Sequence, residues 1–290
     1  MIEKIDGLTR LCGVIGNPIA HTFSPLIHNT IAGKSGDNLV YTAFNVKENL
    51  DAAIKGAYAL NILGINITVP YKSEVMKSLV DIDEAAKTIG AVNTLVRTDG
   101  GYKGYNTDYL GLKRAMEDDG IQIKSKPVLL FGAGGAARAA AYLTGSLEAK
   151  ELYIINRTKE KGQVLAEDIK EIFAGFKVSV LDYSELDRLP KQKYTAIQTT
   201  NVGMWPDTDK CVLNDNNVYE MIDMAVDIIF NPEETVFMKN VKNNGGIAVN
   251  GLKMLLYQGI IAYELWNDTN VSASLAEEIY ELMKKEFIHR

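Results

Sequence analysis

The chain has 290 residues, 47% apolar and 23% charged, with a formal net charge of −6. That composition excludes disorder through low hydropathy, and the length suits two domains better than one. An acidic chain lacks the basic face of a nucleic-acid binder, so no nucleic acid is expected as a partner. Cys12 and Cys211 lie far apart and belong to no C-x-x-C pair, which argues against a disulfide framework or a structural zinc and for a reducing compartment. No apolar run approaches the ~20 residues of a membrane span, and the first residues do not read as a signal peptide. A cytoplasmic protein with no membrane partner is expected. His21, His28 and His289 are scattered, so no metal site is expected.

Leu11–Ile15 reads as a strand, and Pro25–Ala32 as a helix with Ser24 as N-cap and Pro25 at its first position. Val40–Phe44 is β-branched and aromatic, hence a strand, and Leu50–Leu60 is helical by period. Gly64–Val69 is a strand ending at Pro70. Ala91–Val96 and Tyr102–Tyr105 pair through a turn at Asp99-Gly100-Gly101. From about residue 108 a new unit begins: helix Tyr109–Asp118, buried strand Val128–Phe131, a glycine-rich turn, and an Ala-rich helix through Leu143. Strand Leu152–Ile155, helix 159–173, and strands Lys177–Leu181, Thr195–Thr199 and Met224–Ile229 follow. Asn231-Pro232-Glu233-Glu234 reads as a helix start, Gly245-Gly246 as its stop, and Ile247–Val249 as a last strand. The tail from Leu252 is helical.

Strands alternating with helices give the α/β class with parallel sheets. A helical tail after the last strand often packs back on an earlier domain. Two domains are therefore expected: an N-terminal α/β domain, residues 1–107, completed by the C-terminal helices, 252–290, and a Rossmann-type dinucleotide-binding domain over 108–251.

The segment Gly132-Ala133-Gly134-Gly135-Ala136-Ala137 fits G-x-G-x-x-A between a strand and a helix. Gly132 makes the tight turn, Gly134 lets the backbone approach a pyrophosphate, and Ala137 allows close helix packing. The following helix N-terminus offers N–H groups to phosphates. The strand before and helix after favour dinucleotide binding over a ligand-free turn. The next strand ends Asn156-Arg157-Thr158-Lys159, with Lys161 beyond, and shows an arginine where NAD binders carry an acid. A guanidinium holds a 2′-phosphate in a planar fork, so NADP is favoured; Glu160 keeps NAD as a weaker alternative.

Four segments in the first domain carry polar side chains in places that suit a ligand. Thr22 and Ser24 follow a strand, with a helix N-terminus behind them, and together suit a carboxylate. Thr68 and Lys72 follow another strand. With Lys72 read in the first turn of a helix, its ammonium is destabilised there, which suits a general acid/base; standing alone, a solvated lysine is the simpler reading. Asn93 opens a strand. Asp108 reads by itself as a helix cap, but beside Lys72 its carboxylate would orient the ammonium. In the tail helix Met254, Gln258, Ile261 and Leu265 share one row, where a glutamine needs a polar partner.

Taken together, the strings GNPIAHTFSP, NITVPYK, GAVNT, YNTD, GAGGAARA, NRT, NVGMWP, DIIFNPEET and NGLKMLLYQG resemble the shikimate dehydrogenase family, which includes quinate/shikimate dehydrogenases. Nine segments in family order, from residue 16 to 259, carry the resemblance. It implies reversible reduction of 3-dehydroshikimate to shikimate with NADPH, in aromatic amino-acid (chorismate) biosynthesis. It implies Lys72 and Asp108 as the catalytic pair, with Thr22, Ser24, Thr68, Asn93 and Gln258 binding the small-molecule substrate. It implies Gly132, Ala133, Gly134, Gly135, Ala136 and Ala137 as the phosphate turn, and Asn156, Arg157, Thr158 and Lys161 around the 2′-phosphate. Met204, Gly251 and Met254 fall on the nicotinamide side. Three positions depart from the family pattern. Thr22 stands where many members have serine, Phe230 where many have a substrate-touching tyrosine, and Lys161 where many have a second arginine. Two rival readings remain: a quinate dehydrogenase with relaxed NAD/NADP use, and a redox-silent cofactor-binding regulator. The sequence leaves monomer and homodimer open.

Overall fold

The computed structural model describes residues 5–20 and 22–288; His21 and His289 lie outside the described residues. The chain divides into two compact units, Met1–Gly111 with Leu256–Arg290, and Leu112–Leu255.

The first unit begins with β1 (Arg10–Gly16), α1 (Ser24–Ser35), β2 (Leu39–Asn45), α2 (Leu50–Ala59) and β3 (Gly64–Ile67). It continues through a 3-10 turn (Glu74–Ser78), β4 (Asp81–Ile82), α3 (Glu84–Ile89), and the antiparallel pair β5 (Thr94–Thr98) and β6 (Gly101–Tyr105). The strand order is β2-β1-β3-β5-β6-β4. β1 pairs in parallel with both β2 and β3, and β5 runs antiparallel to β3. The sheet is therefore mixed. The return of β5 and β6 brings the start of β5 and the end of β6 to the edge where β1 and β3 finish. Helix α4 (Thr107–Asp118) then carries the chain into the second unit.

The second unit contains β7 (Pro127–Phe131), α5 (Gly135–Ser146), β8 (Glu151–Ile155), α6 (Lys159–Ile172), β9 (Val178–Leu181) and β10 (Tyr194–Gln198). The short α7 (Asn216–Tyr219), β11 (Ile222–Asp227), α8 (Val236–Asn243) and β12 (Ile247–Val249) complete it. All its strand pairs are parallel, in the order β12-β11-β10-β7-β8-β9. Counted from its own first strand this is 6-5-4-1-2-3, the doubly wound order of dinucleotide-binding sheets. β7 is buried along its whole length, as a central parallel strand covered on both faces must be. Leu129, Phe131, Ile155, Ala196 and Phe237 form the centre of the core. α9 (Leu252–Asn267) and α10 (Ala273–Ile288) return the chain to the first unit.

Several local expectations change. Helix α1 starts at Ser24 with Phe23 at the cap and no side-chain cap bond; Ser24 is not the N-cap. Instead the Thr22 hydroxyl accepts the Ser24 N–H at 3.2 Å. Lys72 lies in the turn before a 3-10 helix that opens at Glu74, so no α-helix dipole acts on it. Asp108 does not cap α4: the Asn106 amide oxygen accepts the N–H of Asp108 at 3.0 Å and of Tyr109 at 3.3 Å. Residues 231–234 are non-helical, and Thr235 caps α8 by accepting the Met238 N–H. The Met254–Gln258–Ile261–Leu265 row is half-buried, while Leu256, Ile260 and Tyr263 of α9 face the core.

One close approach ties α9 to the first sheet. Trp266 is buried and donates its indole N–H to the Leu95 carbonyl at 2.9 Å, directly over Gly64. A Cβ on Gly64 would stand 2.1 Å from Trp266 Nε1. Gly64→Ala is expected to destabilise the protein by about 1–3 kcal/mol through overpacking, read as a lower urea midpoint. An unchanged midpoint would contradict this account of the packing.

Where β10 and β11 of the second sheet end, a buried polar cluster ties two loops. Asp227, fully buried at the end of β11, accepts the Thr235 hydroxyl at 2.7 Å and the Ile229 N–H at 3.0 Å. Gln198 at the end of β10 donates to Asp227 at 3.4 Å and to the Thr200 and Val202 carbonyls, and accepts the Thr200 N–H. Burial pushes the Asp227 carboxyl from the ordinary 3.8 up to about 7, against the pull of Thr235 and Ile229. The folded chain therefore holds this proton at pH values where the unfolded chain has released it. The resulting stabilisation is complete below about pH 4 and is lost as pH rises through 7. Asp227→Asn should flatten that part of the stability curve, measured as urea midpoints from pH 4 to 8. An identical pH slope in the two proteins would remove Asp227 as its source.

Candidate active site

In the first unit Thr22, Ser24, Thr68, Lys72, Asn93 and Asp108 flank strand ends at the edge where β1 and β3 end. Lys72 Nζ lies 2.7 Å from Asp108 Oδ2, with the two side chains 32% and 17% exposed. This ion pair is partly desolvated yet reachable by a small molecule. The other carboxylate oxygen accepts the Asn93 amide N–H at 2.8 Å. The backbone makes the meeting possible: the Val92 N–H donates to the Lys72 carbonyl at 2.8 Å, which fastens the lysine's turn to the segment carrying Asn93. Asn106, by capping α4, leaves the Asp108 carboxylate free for the lysine. Asn93 is nearly fully buried, and its amide oxygen takes the Thr107 N–H at 2.7 Å.

Thr22 and Ser24 stand together beyond β1, with the threonine hydroxyl donating to Ser24 Oγ at 3.1 Å. Thr68 follows β3, and its methyl lies where a Cβ on Gly16 would approach to 2.4 Å, so glycine there lets the two strand ends come side by side. Gln258 is half-buried on α9, one residue before Gly259, which packs on Ile27 and His28 of α1.

Sequence reasoning missed a buried polar row beneath this edge. Tyr41 donates its phenol to Asn66 Oδ1 at 2.7 Å, and Asn66 donates to Thr94 Oγ1 at 3.0 Å. His28 stacks on Tyr41 with ring centroids 4.1 Å apart. Burial holds the His28 imidazole down at about 3, so the ring is neutral at physiological pH. The available signal was Asn66 itself, a polar residue inside an otherwise apolar strand, Gly-Ile-Asn-Ile.

The second unit carries the remaining residues. Gly132 follows β7 with φ +112°, a conformation that favours glycine, and a Cβ there would meet Thr199 Oγ1 at 2.7 Å. Gly134 and Gly135 have open space where a Cβ would be, which is the room a phosphate needs. Helix α5 starts at Gly135 with no side-chain cap and no acid in its first turn. Its first N–H groups and positive end thus face the turn without a competing anion. Ala137 is fully buried against the sheet.

Beyond β8, Lys159 is held by Glu185 at 2.5 Å. Arg157 and Lys161 are exposed, and their side chains make no ion pair or hydrogen bond among the described residues. Asn156 turns its amide to the Thr158 carbonyl at 2.7 Å, shaping the loop. Tyr183, whose phenol burial pushes up to about 12 against the Arg157 charge, lines a cavity of about 290 Å³ with Leu186, Val212, Asn214 and Asp215. Sequence reading had no signal for that cavity. Met204 is exposed after β10. Gly251 sits so close to Ile228 that a Cβ would lie 2.0 Å from its carbonyl oxygen, and Met254 lies half-buried one turn later. Open space at Gly134 and Gly135, a helix N-terminus with no acid in its first turn, and an arginine past the second strand that makes no ion pair among the described residues fit a dinucleotide with a 2′-phosphate. Among the described residues no cluster of His, Cys, Asp and Glu could hold a metal, and no helix is long and apolar enough to cross a membrane.

Comparison with known proteins finds both units in one family. The family model described as "Shikimate dehydrogenase substrate binding domain" matches residues 14–95, and "Shikimate / quinate 5-dehydrogenase" matches residues 113–226. A shikimate dehydrogenase (NADP(+)) of Methanococcus maripaludis is 41% identical over 263 residues, covering 90% of this chain and 93% of its own. A crystal structure of a shikimate dehydrogenase in complex with NADP+ superimposes with a TM-score of 0.87 at 38% identity, covering 96% of both chains. The shikimate 5-dehydrogenase of Listeria monocytogenes, solved with shikimate and NAD, gives a TM-score of 0.90 at 31% identity over 98% of this chain and 99% of that one. With both units matched and identity near 40% over nine-tenths of its length, the chain belongs to the shikimate dehydrogenase family.

Proposed function

We propose that this chain is an NADP-dependent shikimate dehydrogenase, reducing the ring ketone of 3-dehydroshikimate to shikimate and running the reverse oxidation, as a step of aromatic amino-acid biosynthesis in the cytoplasm. The observation that carries this reading is the Lys72 ammonium 2.7 Å from an Asp108 carboxylate whose second oxygen is already held by Asn93. An ammonium so oriented is a proton donor and an electrostatic partner for a carbonyl oxygen that becomes an alkoxide.

NADPH, when bound, supplies the hydride. The chain's own residues do the rest. Thr22 and Ser24 donate hydroxyls to the substrate carboxylate. Thr68, Gln258 and the second N–H of Asn93 hold ring hydroxyls. Lys72 meets the ketone oxygen, stabilises the growing negative charge and gives up a proton to it, while Asp108 keeps the ammonium aimed. In the second unit Gly132, Ala133, Gly134, Gly135, Ala136 and Ala137 cradle the pyrophosphate. Arg157, helped by Asn156, Thr158 and Lys161, holds the 2′-phosphate. Met204, Gly251 and Met254 lie on the nicotinamide side. Two free cysteines, Cys12 and Cys211, suit a reducing compartment.

The test is an absorbance assay of shikimate and quinate, each with NADP and NAD. Shikimate with NADP should turn over fastest; quinate with NAD as the better pair would overturn the substrate and cofactor assignment. Lys72→Ala should lower kcat about 100-fold or more with the fold and NADPH binding intact, and near-normal turnover would remove Lys72 from the chemistry. Arg157→Ala should raise KM for NADPH about tenfold while leaving KM for NADH nearly unchanged, since only the former carries the 2′-phosphate. Equal changes would refute the phosphate role.

A further inference from the structure

The Asn93 amide is the hub of the acid/base pair, and its orientation is set from behind. Its oxygen accepts the Thr107 N–H at 2.7 Å, the Thr107 hydroxyl at 3.2 Å and the Thr94 hydroxyl at 3.1 Å. The Thr107 N–H and at least one of these hydroxyl protons on the oxygen draw charge from the amide and strengthen the N–H that it gives to Asp108.

Thr94 has a single hydroxyl proton. Asn66 Nδ2 donates to Thr94 Oγ1 at 3.0 Å, so that proton is free to point elsewhere. It goes to Asn93 Oδ1 directly, or to Thr107 Oγ1 at 3.1 Å, which then passes its own proton to Asn93. Asn66 is itself turned by the Tyr41 phenol, which donates to its oxygen at 2.7 Å and thereby commits its two N–H groups to Thr94 Oγ1 and, at 3.2 Å, to the Asn93 backbone carbonyl. Donation therefore runs one way: Tyr41 to Asn66 to Thr94 to Asn93 to Asp108. Tyr41, Asn66, Thr94 and Thr107 are all buried, so water cannot replace a missing link.

We propose that Thr94 is a positioning residue for the reduction, fed by Asn66 and Tyr41, which orients and polarises the Asn93 amide so that Asp108 holds the Lys72 ammonium in its reacting direction. Thr94 makes no hydrogen bond to Lys72 or Asp108, and acts only through Asn93. The proposal rests on the dehydrogenase reading for its kinetic consequence, but the relay itself is a property of the folded chain.

The test compares Thr94→Val, which keeps the shape and removes the hydroxyl, with Thr94→Ser, which keeps the hydroxyl. Thr94→Val should lower kcat with shikimate and NADP about five- to tenfold, with KM for NADP unchanged, and Thr94→Ser should stay within about twofold of the wild type. Tyr41→Phe, which cuts the far end while keeping the aromatic ring, should lower kcat about two- to threefold and serves if Thr94→Val does not fold. In 15N–1H NMR the Asn93 side-chain amide protons should exchange slowly with solvent in the wild type and in Thr94→Ser, and faster in Thr94→Val. This second readout needs no turnover, so a wild type inactive on shikimate would sink the functional reading while the relay is still decided. Wild-type kcat and amide exchange in Thr94→Val, or a loss in Thr94→Ser as large as in Thr94→Val, would overturn the proposal.

Discussion

An ammonium and a carboxylate 36 residues apart in the chain meet at 2.7 Å, and the first unit is built around that meeting. Leaving either charge alone in a half-buried place would be costly, so each needs the other, and the carboxylate needs a second donor. A purely parallel sheet would put Lys72 and the start of α4 at the edge only after long crossovers. The antiparallel β5–β6 return does it in a few residues, delivering Asn93 and Asp108 to the edge where β3 releases Lys72. The mixed topology of this sheet is thus the structural condition for the pair.

The second unit meets a different constraint, the space available at its glycines. Gly132, Gly134 and Gly251 are small for three distinct reasons: a positive φ against Thr199, open room above a helix start, and the Ile228 carbonyl oxygen 2.0 Å from where a Cβ would stand. The loops after β10 and β11 could not be left loose beside such a turn, and Gln198, Asp227 and Thr235 tie them with buried hydrogen bonds. A carboxylate in that knot without a cation beside it among the described residues is what burial makes expensive, and its raised pKa is the measure of that cost.

Much of this was legible in the chain. Period and β-branching located the main strands and helices, because a buried parallel strand reads as an apolar run and the glycine turn sits between a strand and a helix. Caps were the weak point. Ser24, Asp108 and Asn231 all look like N-caps, yet Phe23, Asn106 and Thr235 occupy or supply those positions. Which polar side chain reaches the free N–H groups depends on tertiary demands: Asp108 is claimed by Lys72, and Thr235 is anchored by Asp227. The helix expected at Lys72 failed for a related reason, since the turn after β3 is stapled to Val92 before any helix can begin. Beyond the polar Asn66 in an apolar strand, the Tyr41–Asn66–Thr94 row left no mark in the chain, because its members are spread over three strands and only pairing brings them together.

The first unit takes its core from both ends of the chain, with Trp266 seated over Gly64. Ribosomal synthesis delivers residues in order, so the stretch 112–255 is whole while the earlier stretch still lacks its closing helices. The middle of the molecule is therefore able to mature first, and the Lys72–Asp108 ion pair is assembled on a scaffold that closes only when residues 256–290 emerge.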